Sequence, residues 1–141
     1  LPELLNNNDN LGFDDIRDSC LSAEKEKLNF SLGSITLQNE NIYFYLSIIA
    51  NRLEKLLKLN YELESEKNLE KAVDMTRPPI FWKDKPMFIK QMKKWNINKL
   101  KEAKKILFET EVQIKKNSFL NNSILLKNLI MNLYKKAASI S

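Results

Sequence analysis

Residues 77–86 place the strongest constraint on how this chain can fold. The segment reads Arg-Pro-Pro-Ile-Phe-Trp-Lys-Asp-Lys-Pro and holds three of the four prolines and one of the two tryptophans. Proline lacks an N–H and restricts the preceding residue to extended geometry, so no helix can run through the segment. Because Ile80, Phe81 and Trp82 are consecutive and large, we expect an extended crossover whose apolar side chains pack onto helices on either side. Pro86 suits the first turn of the next helix, where a missing N–H costs nothing.

The sequence on both sides of this segment is typical of helices. The 141 residues include only two glycines, while Leu, Lys, Glu and Ile are abundant. Apolar residues recur at helical spacing over residues 42–59 and again over residues 120–137. We therefore predict an all-α fold, a single bundle of about six to seven helices at residues 13–141. Residues 1–12 are predicted to be a linker or the tail of a preceding domain.

The composition argues against catalysis, cofactors and metal sites in this chain. The sequence has no histidine and a single cysteine, Cys20, so the usual general base, zinc sites and internal disulfides are excluded. Gly12 and Gly33 stand alone, so no glycine-rich loop exists to hold phosphates. The sequence contains no run of about 18 apolar residues, so it predicts no membrane span. A lone cysteine fits a reducing cytoplasm, and we interpret Cys20 as a small core residue.

Glu111 is the one carboxylate that falls on a predicted apolar face. It follows Leu107 and precedes Ile114 at helical spacing, in the helix after Trp95. An ionised carboxylate in a core must be paired, because burying it alone is too costly. We therefore expect Glu111 to be buried in a structural ion pair, with Arg52 or Arg77 as its hypothetical partner.

Taken together, the proline segment and the later Glu-x-x-x-Lys pattern resemble the C-terminal helical domain of the delta subunit of bacterial DNA polymerase III, a clamp-loader protein. The resemblance covers residues 13–138. The positions that carry it best are Arg77, Pro78, Pro79, Phe81, Trp82, Glu111 and Lys115. It implies a collar domain that holds clamp-loader subunits together, without enzymatic activity of its own.

The same resemblance implies what the whole protein does. Delta subunits help to open the sliding clamp and load it onto primed DNA in replication, as part of the DNA polymerase III holoenzyme, a DNA-directed DNA polymerase of the bacterial cytoplasm. The expected partners of this chain are the collar domains of other clamp-loader subunits. The sliding clamp is expected to bind only through an N-terminal region that this sequence lacks.

Two alternatives to the collar stay open, direct nucleic-acid binding and a generic helical interaction domain. The chain is mildly basic, with a net charge of +5, and aromatic rings near lysines suit weak contact with primer-template DNA. The candidate DNA contacts are Trp82, Lys83, Lys85 and Phe119. The candidate subunit interface is an apolar excess at Tyr43, Tyr45, Ile124 and Leu125. A solvent-facing Trp82 favours DNA binding, whereas a buried one favours a scaffold.

Overall fold

Seven helices make up the part of the chain that the computed structural model describes, which is residues 2–34, 39–116 and 122–139. In chain order they are α1 (Pro2–Leu21), α2 (Lys25–Ser34), α3 (Asn39–Glu66), α4 (Leu69–Met75), α5 (Lys85–Met92), α6 (Ile97–Lys116) and α7 (Asn122–Ala138). These ranges contain no β-strand. The predicted all-α bundle is confirmed.

Helix α3 is the axis of the bundle, because its apolar face is long and broad. Its fully or nearly fully buried side chains are Ile42, Tyr45, Leu46, Ile49, Leu53, Leu56 and Leu59. These residues recur at steps of one, three and four, which spreads them over a wide stripe of the helix. Helix α3 accordingly contacts α1, α4, α5, α6 and α7. Each buried leucine contributes about 1.5–3 kcal/mol relative to an exposed one.

Helix α7 packs against three other helices of the bundle and keeps one face exposed to solvent. It contacts α1, α3 and α6, and its side chains at Leu126, Leu129, Ile130 and Leu133 are buried. The end of α7 is tied to the start of α6, because Lys99 Nζ donates to the Ser139 carbonyl at 3.0 Å. The buried face of α7 therefore contacts several neighbours within this chain.

Helix α1 begins at Pro2, so the stretch predicted as a linker or tail is helical from its second residue on. Proline is favoured at the first position of a helix, and no further proline or glycine occurs before Gly12. Gly12 inside the helix costs about 1 kcal/mol relative to alanine but does not end it. The domain boundary after residue 12 stays a prediction.

A left-handed residue closes α1 and forms one corner of the bundle. Ala23 has a φ of 59°, and the N–H groups of Ala23 and Glu24 donate to carbonyls of the last turn of α1, which is a Schellman ending. The carbonyl of Leu21 at this corner accepts from Trp95 Nε1 at 2.8 Å. The Glu24 carboxylate pairs with Lys90 of α5. The corner is thus joined both to α5 and to Trp95, which follows that helix.

Candidate functional site

The segment between α4 and α5 crosses the bundle without a helix, as its prolines predict. Lys58 of α3 donates from Nζ to the Arg77 carbonyl at 2.5 Å, and the half-buried Ile80 packs against the core. A backbone hydrogen bond of 2.9 Å then closes a turn ahead of α5. Pro86 lies in the first turn of α5, where its missing N–H costs nothing, as predicted. The segment is therefore ordered, with few inward contacts.

Phe81 and Trp82 are exposed, so the expectation that they pack onto the flanking helices is wrong. Phe81 is 58% exposed and Trp82 is 67% exposed. Ile80 takes the inward position, and the turn that follows presents the next side chains to solvent. The two ring centroids lie 5.9 Å apart, and Lys83 Nζ lies 5.5 Å from the centroid of the Trp82 ring. A cation at this distance is attracted to the face of the ring.

The two other candidate DNA contacts do not add to this exposed group. Lys85 is half-buried and its Nζ pairs with an oxygen of Asp74 at 2.7 Å, so its charge is already matched. Phe119 lies outside the described residues. Trp82 and Lys83 are therefore the candidate contacts that the structure places side by side.

A cavity of about 290 Å³ opens beside the segment, between it, α3 and α5. We call it the basic cleft. Its charged lining residues are the cations Arg52, Lys55, Lys58 and Arg77 and the carboxylate Asp84. Its apolar lining includes Ile80, Phe81 and Phe88. Several cations that line one cleft create a positive potential, which favours the binding of an anion.

Arg52 forms the deep end of the basic cleft. Its side chain is 7% exposed, and Nη1 donates to Asp18 Oδ1 at 3.0 Å and to Gln91 Oε1 at 2.9 Å. The guanidinium carbon lies 4.1 Å from the centroid of the Phe88 ring. Burial, and secondarily the charge of Arg17, lowers the pKa of Arg52 to about 10. Arg52 therefore remains protonated at neutral pH and ties α3 to α1 and α5.

Sequence reasoning named Arg52 only as a hypothetical partner of Glu111 and missed this network. A signal was present, since Arg52 follows Ile49 by three residues and precedes Leu56 by four. That spacing places it on the buried stripe of α3. A cation at such a position needs a carboxylate partner, although spacing alone does not identify Asp18.

Glu111 is half-buried rather than buried, so its predicted burial is wrong, although its carboxylate is paired with a cation as expected. Its side chain is 39% exposed and pairs with Lys115 one turn further along α6, at 3.2 Å. Its neighbours on the stripe, Leu107 and Ile114, are buried, but the longer carboxylate side chain reaches solvent at the edge of the core. The predicted partner Arg52 binds Asp18 instead. Arg77 donates to the backbone carbonyls of Asp74 and Thr76 at the end of α4.

The four candidate interface residues divide into two groups. Tyr43 is 49% exposed and Ile124 is 56% exposed, as a contact surface requires. Tyr45 is fully buried, with its ring centroid 4.4 Å from that of Phe13 in an edge-on arrangement, so its assignment to the interface is wrong. Leu125 is half-buried and packs against the core. Tyr43 and Ile124 remain candidates.

Further large apolar side chains are exposed that the sequence argument did not single out. They include Phe30, Phe44, Tyr61, Met75 and Phe108. They lie on α2, α3, α4 and α6. The exposed apolar surface thus involves more helices than the two that the sequence predicts.

The single thiol belongs to the core, as predicted. Cys20 is fully buried and its Sγ contacts the Ile130 carbonyl oxygen at 3.2 Å, and burial raises the pKa of the thiol well above its usual range. Within the described ranges, no three His, Cys, Asp or Glu residues cluster closely enough to hold a metal ion. None of the described helices has both the length and the apolar character needed to cross a membrane.

Comparison of the chain with protein-family models, with curated proteins and with solved structures gave no match.

Proposed function

We propose that this chain is a helical assembly domain of the clamp-loader collar type, which holds subunits of a complex together. The observation that carries the proposal is the ordered proline segment within an all-α bundle, because this segment holds most of the residues on which the delta resemblance rests. Exposed apolar side chains such as Tyr43 and Ile124 support it. Each of these side chains is large and about half exposed, as a residue of a contact surface is in the free domain.

The wider function follows from the same proposal. The parent protein would be the delta subunit of a bacterial DNA polymerase III, working in the cytoplasm to open the sliding clamp and load it onto primed DNA. This domain would bind the collar domains of other clamp-loader subunits. It would contribute no catalytic group and no cofactor to the holoenzyme, and contact with the sliding clamp would be made by the parent's N-terminal region.

The assembly proposal is tested by placing charge on the candidate interface. Tyr43→Glu and Ile124→Glu in the full-length protein should leave folding intact, because both side chains are exposed. Each should abolish co-purification with the other clamp-loader subunits, since an unpaired charge is costly in an apolar contact. Tyr61→Glu is the matched control, because Tyr61 lies on the same helix as Tyr43 and is 47% exposed. Normal assembly of both interface variants would refute this surface.

A second candidate function, binding of single-stranded nucleic acid, is favoured by one observation. Trp82 faces solvent with Lys83 beside its ring, and an exposed ring with adjacent positive charge is a typical stacking platform for bases. Such binding should be weak, indifferent to sequence and strongly reduced by salt, because few cations converge here. Tight binding that persists at high salt would contradict it.

A further inference from the structure

The basic cleft holds positive charge that the described residues do not neutralise. Lys58 has a glutamate one helical turn away in each direction along α3. One of them, Glu54, pairs with Lys104 of α6, and the other, Glu62, accepts a hydrogen bond from Thr76 at 2.8 Å. Lys58 donates instead to a backbone carbonyl of the proline segment. Both of its carboxylate neighbours on the helix are thus engaged by other residues.

The other exposed cations of the basic cleft also lack a carboxylate partner. Lys55 forms no ion pair within the described part of the chain, and Arg77 donates only to backbone carbonyls. The buried Arg52 already has its own carboxylate partner on α1. Since Asp84 is the single carboxylate among the lining residues, the three exposed cations leave an excess of positive charge that attracts an anionic partner.

Apolar side chains form a large part of the cleft lining. They are Pro78, Pro79, Ile80, Phe81 and Phe88. The ring of Phe81 is 58% exposed in the free chain, so an occupant that covers it removes apolar surface from water. A small inorganic anion would pair with the cations and leave this surface bare. The lining therefore fits an occupant that carries an apolar side chain as well as negative charge.

The lining residues also include hydrogen-bond acceptors that have no donor among the described residues. The Asp84 carboxylate makes neither a cap hydrogen bond to α5 nor an ion pair, and the carbonyls of Pro78 and Pro79 accept no hydrogen bond. The N–H groups of a peptide can donate to such oxygens, whereas the sugar–phosphate backbone of DNA has no donor. Trp82 does not line the cleft. Cations, apolar surface and free acceptors together favour a peptide.

We propose that the basic cleft binds an acidic segment of a protein partner, in which an apolar side chain stands between aspartates or glutamates. The carboxylates of the segment pair with Lys55, Lys58 and Arg77, and its apolar side chain packs on Phe81. The opposite charges attract the two molecules before contact and select against basic partners. The proposal goes beyond assembly and does not depend on it, because no residue of the candidate subunit interface lines the cleft.

The test is fluorescence anisotropy of a labelled synthetic peptide, in which leucine and phenylalanine stand between pairs of glutamates, titrated with the 141-residue chain. Lys55→Glu should weaken binding about tenfold, because it replaces an attraction by a repulsion. Phe81→Ser should weaken binding by a similar factor through loss of the apolar contact. Lys101→Glu and Phe108→Ser are the matched controls and should bind normally, since both residues are exposed on α6 and lie outside the cleft.

The control variants and a second probe separate the possible occupants. Equal losses in Lys55→Glu and Lys101→Glu would overturn the cleft assignment, because attraction to net charge alone would then explain the binding. A peptide with serine in place of leucine and phenylalanine should bind more weakly, and equal binding would overturn the apolar contact. An oligothymidylate that displaces the peptide and is equally sensitive to Lys55→Glu would assign the cleft to nucleic acid instead.

The outcome is also separable from that of the assembly test. Lys55→Glu in the full-length protein should lose the acidic peptide and still co-purify with the other clamp-loader subunits. Tyr43→Glu and Ile124→Glu should retain the peptide, because neither residue lines the cleft. A peptide that fails to bind the unaltered chain would refute the proposal and leave the assembly function untouched.

Discussion

Trp82 and Trp95 lie on either side of α5 and have opposite environments. Trp95 is 3% exposed, and its indole N–H donates to the Leu21 carbonyl at 2.8 Å. Trp82 is 67% exposed, and its ring contacts are with Phe81 and Lys83 of its own segment. The two regions differ in what surrounds them, since the corner at Trp95 brings the end of α1 against α5, while the proline segment leaves its outer face bare.

The difference shows what a buried tryptophan requires. Its large ring must be covered on both faces, and its N–H needs an acceptor. The left-handed turn at Ala23 ends α1 in such a way that the Leu21 carbonyl supplies that acceptor. At Trp82 the inward place is already taken by Ile80. The ring is then free to serve as a contact for another molecule.

The largest effect on stability is expected at Trp95 in the corner, whereas loss of Trp82 in the proline segment should have little effect. Trp95→Ala should lower the free energy of unfolding by about 3–5 kcal/mol, because it opens a large cavity and leaves the Leu21 carbonyl without its donor. Trp82→Ala should change it by less than about 0.5 kcal/mol, as expected of an exposed side chain. Urea unfolding followed by circular dichroism measures both. Similar losses for the two variants would show that the proline segment is part of the core.

An intermediate effect is expected at the two arginines of the basic cleft. Arg52→Ala should cost about 2–3 kcal/mol, because it removes the charged partner of Asp18 and Gln91 from a buried site. Arg77→Ala should cost less than about 0.5 kcal/mol, since Arg77 is exposed and bonds only to backbone oxygens. The same urea experiment compares them. If Arg77 proved the costlier residue, its hydrogen bonds would be what holds the segment in place.

The smallest effect on stability is expected at Glu24 in the corner, and it should depend on pH. The hydrogen bond and the charge of Lys90 lower the pKa of Glu24 below its usual 4.5, while partial burial opposes them. A carboxyl group whose pKa is lower in the folded than in the unfolded protein stabilises the fold at pH values above its unfolded pKa. This contribution is lost as the pH falls through the folded pKa. Glu24→Gln should therefore cost about 0.5 kcal/mol at pH 7.

The pH dependence supplies the control for that variant. The cost of Glu24→Gln should shrink as the pH is lowered below 4.5, because the carboxylate of the folded protein becomes protonated only there. Urea midpoints measured across this range give the comparison. A cost that is independent of pH would mean that packing, and not the ion pair with Lys90, is what Glu24 contributes.

Much of the fold was predictable from the sequence, for a local reason. The stripe of α3 from Ile42 to Leu59 follows from helical spacing and the first turn of α5 at Pro86 follows from proline geometry, and both are present. Errors occurred where contacts between helices, and not spacing, decided whether a side chain is covered. Glu111 lies in phase with Leu107 and Ile114 but reaches solvent, and Tyr45 follows the exposed Tyr43 and Phe44 but is sealed against Phe13.

The candidate site was predicted only in part. Proline chemistry marked residues 77–86, and the exposed Trp82 lies in that segment. The basic cleft was not foreseen, because Arg52, Lys58 and Arg77 are separated along the chain and are brought together only when α3 packs beside the segment.

The sequence by itself determined the helices and the place where they must stop, since helical periodicity and the missing N–H of proline act between residues close in the chain. The tertiary structure alone decided which of two tryptophans is buried, which carboxylate meets Arg52 and where positive charge collects. Those outcomes depend on which surfaces of separate helices meet, and burial and pairing are set by such long-range contacts rather than by neighbours in sequence.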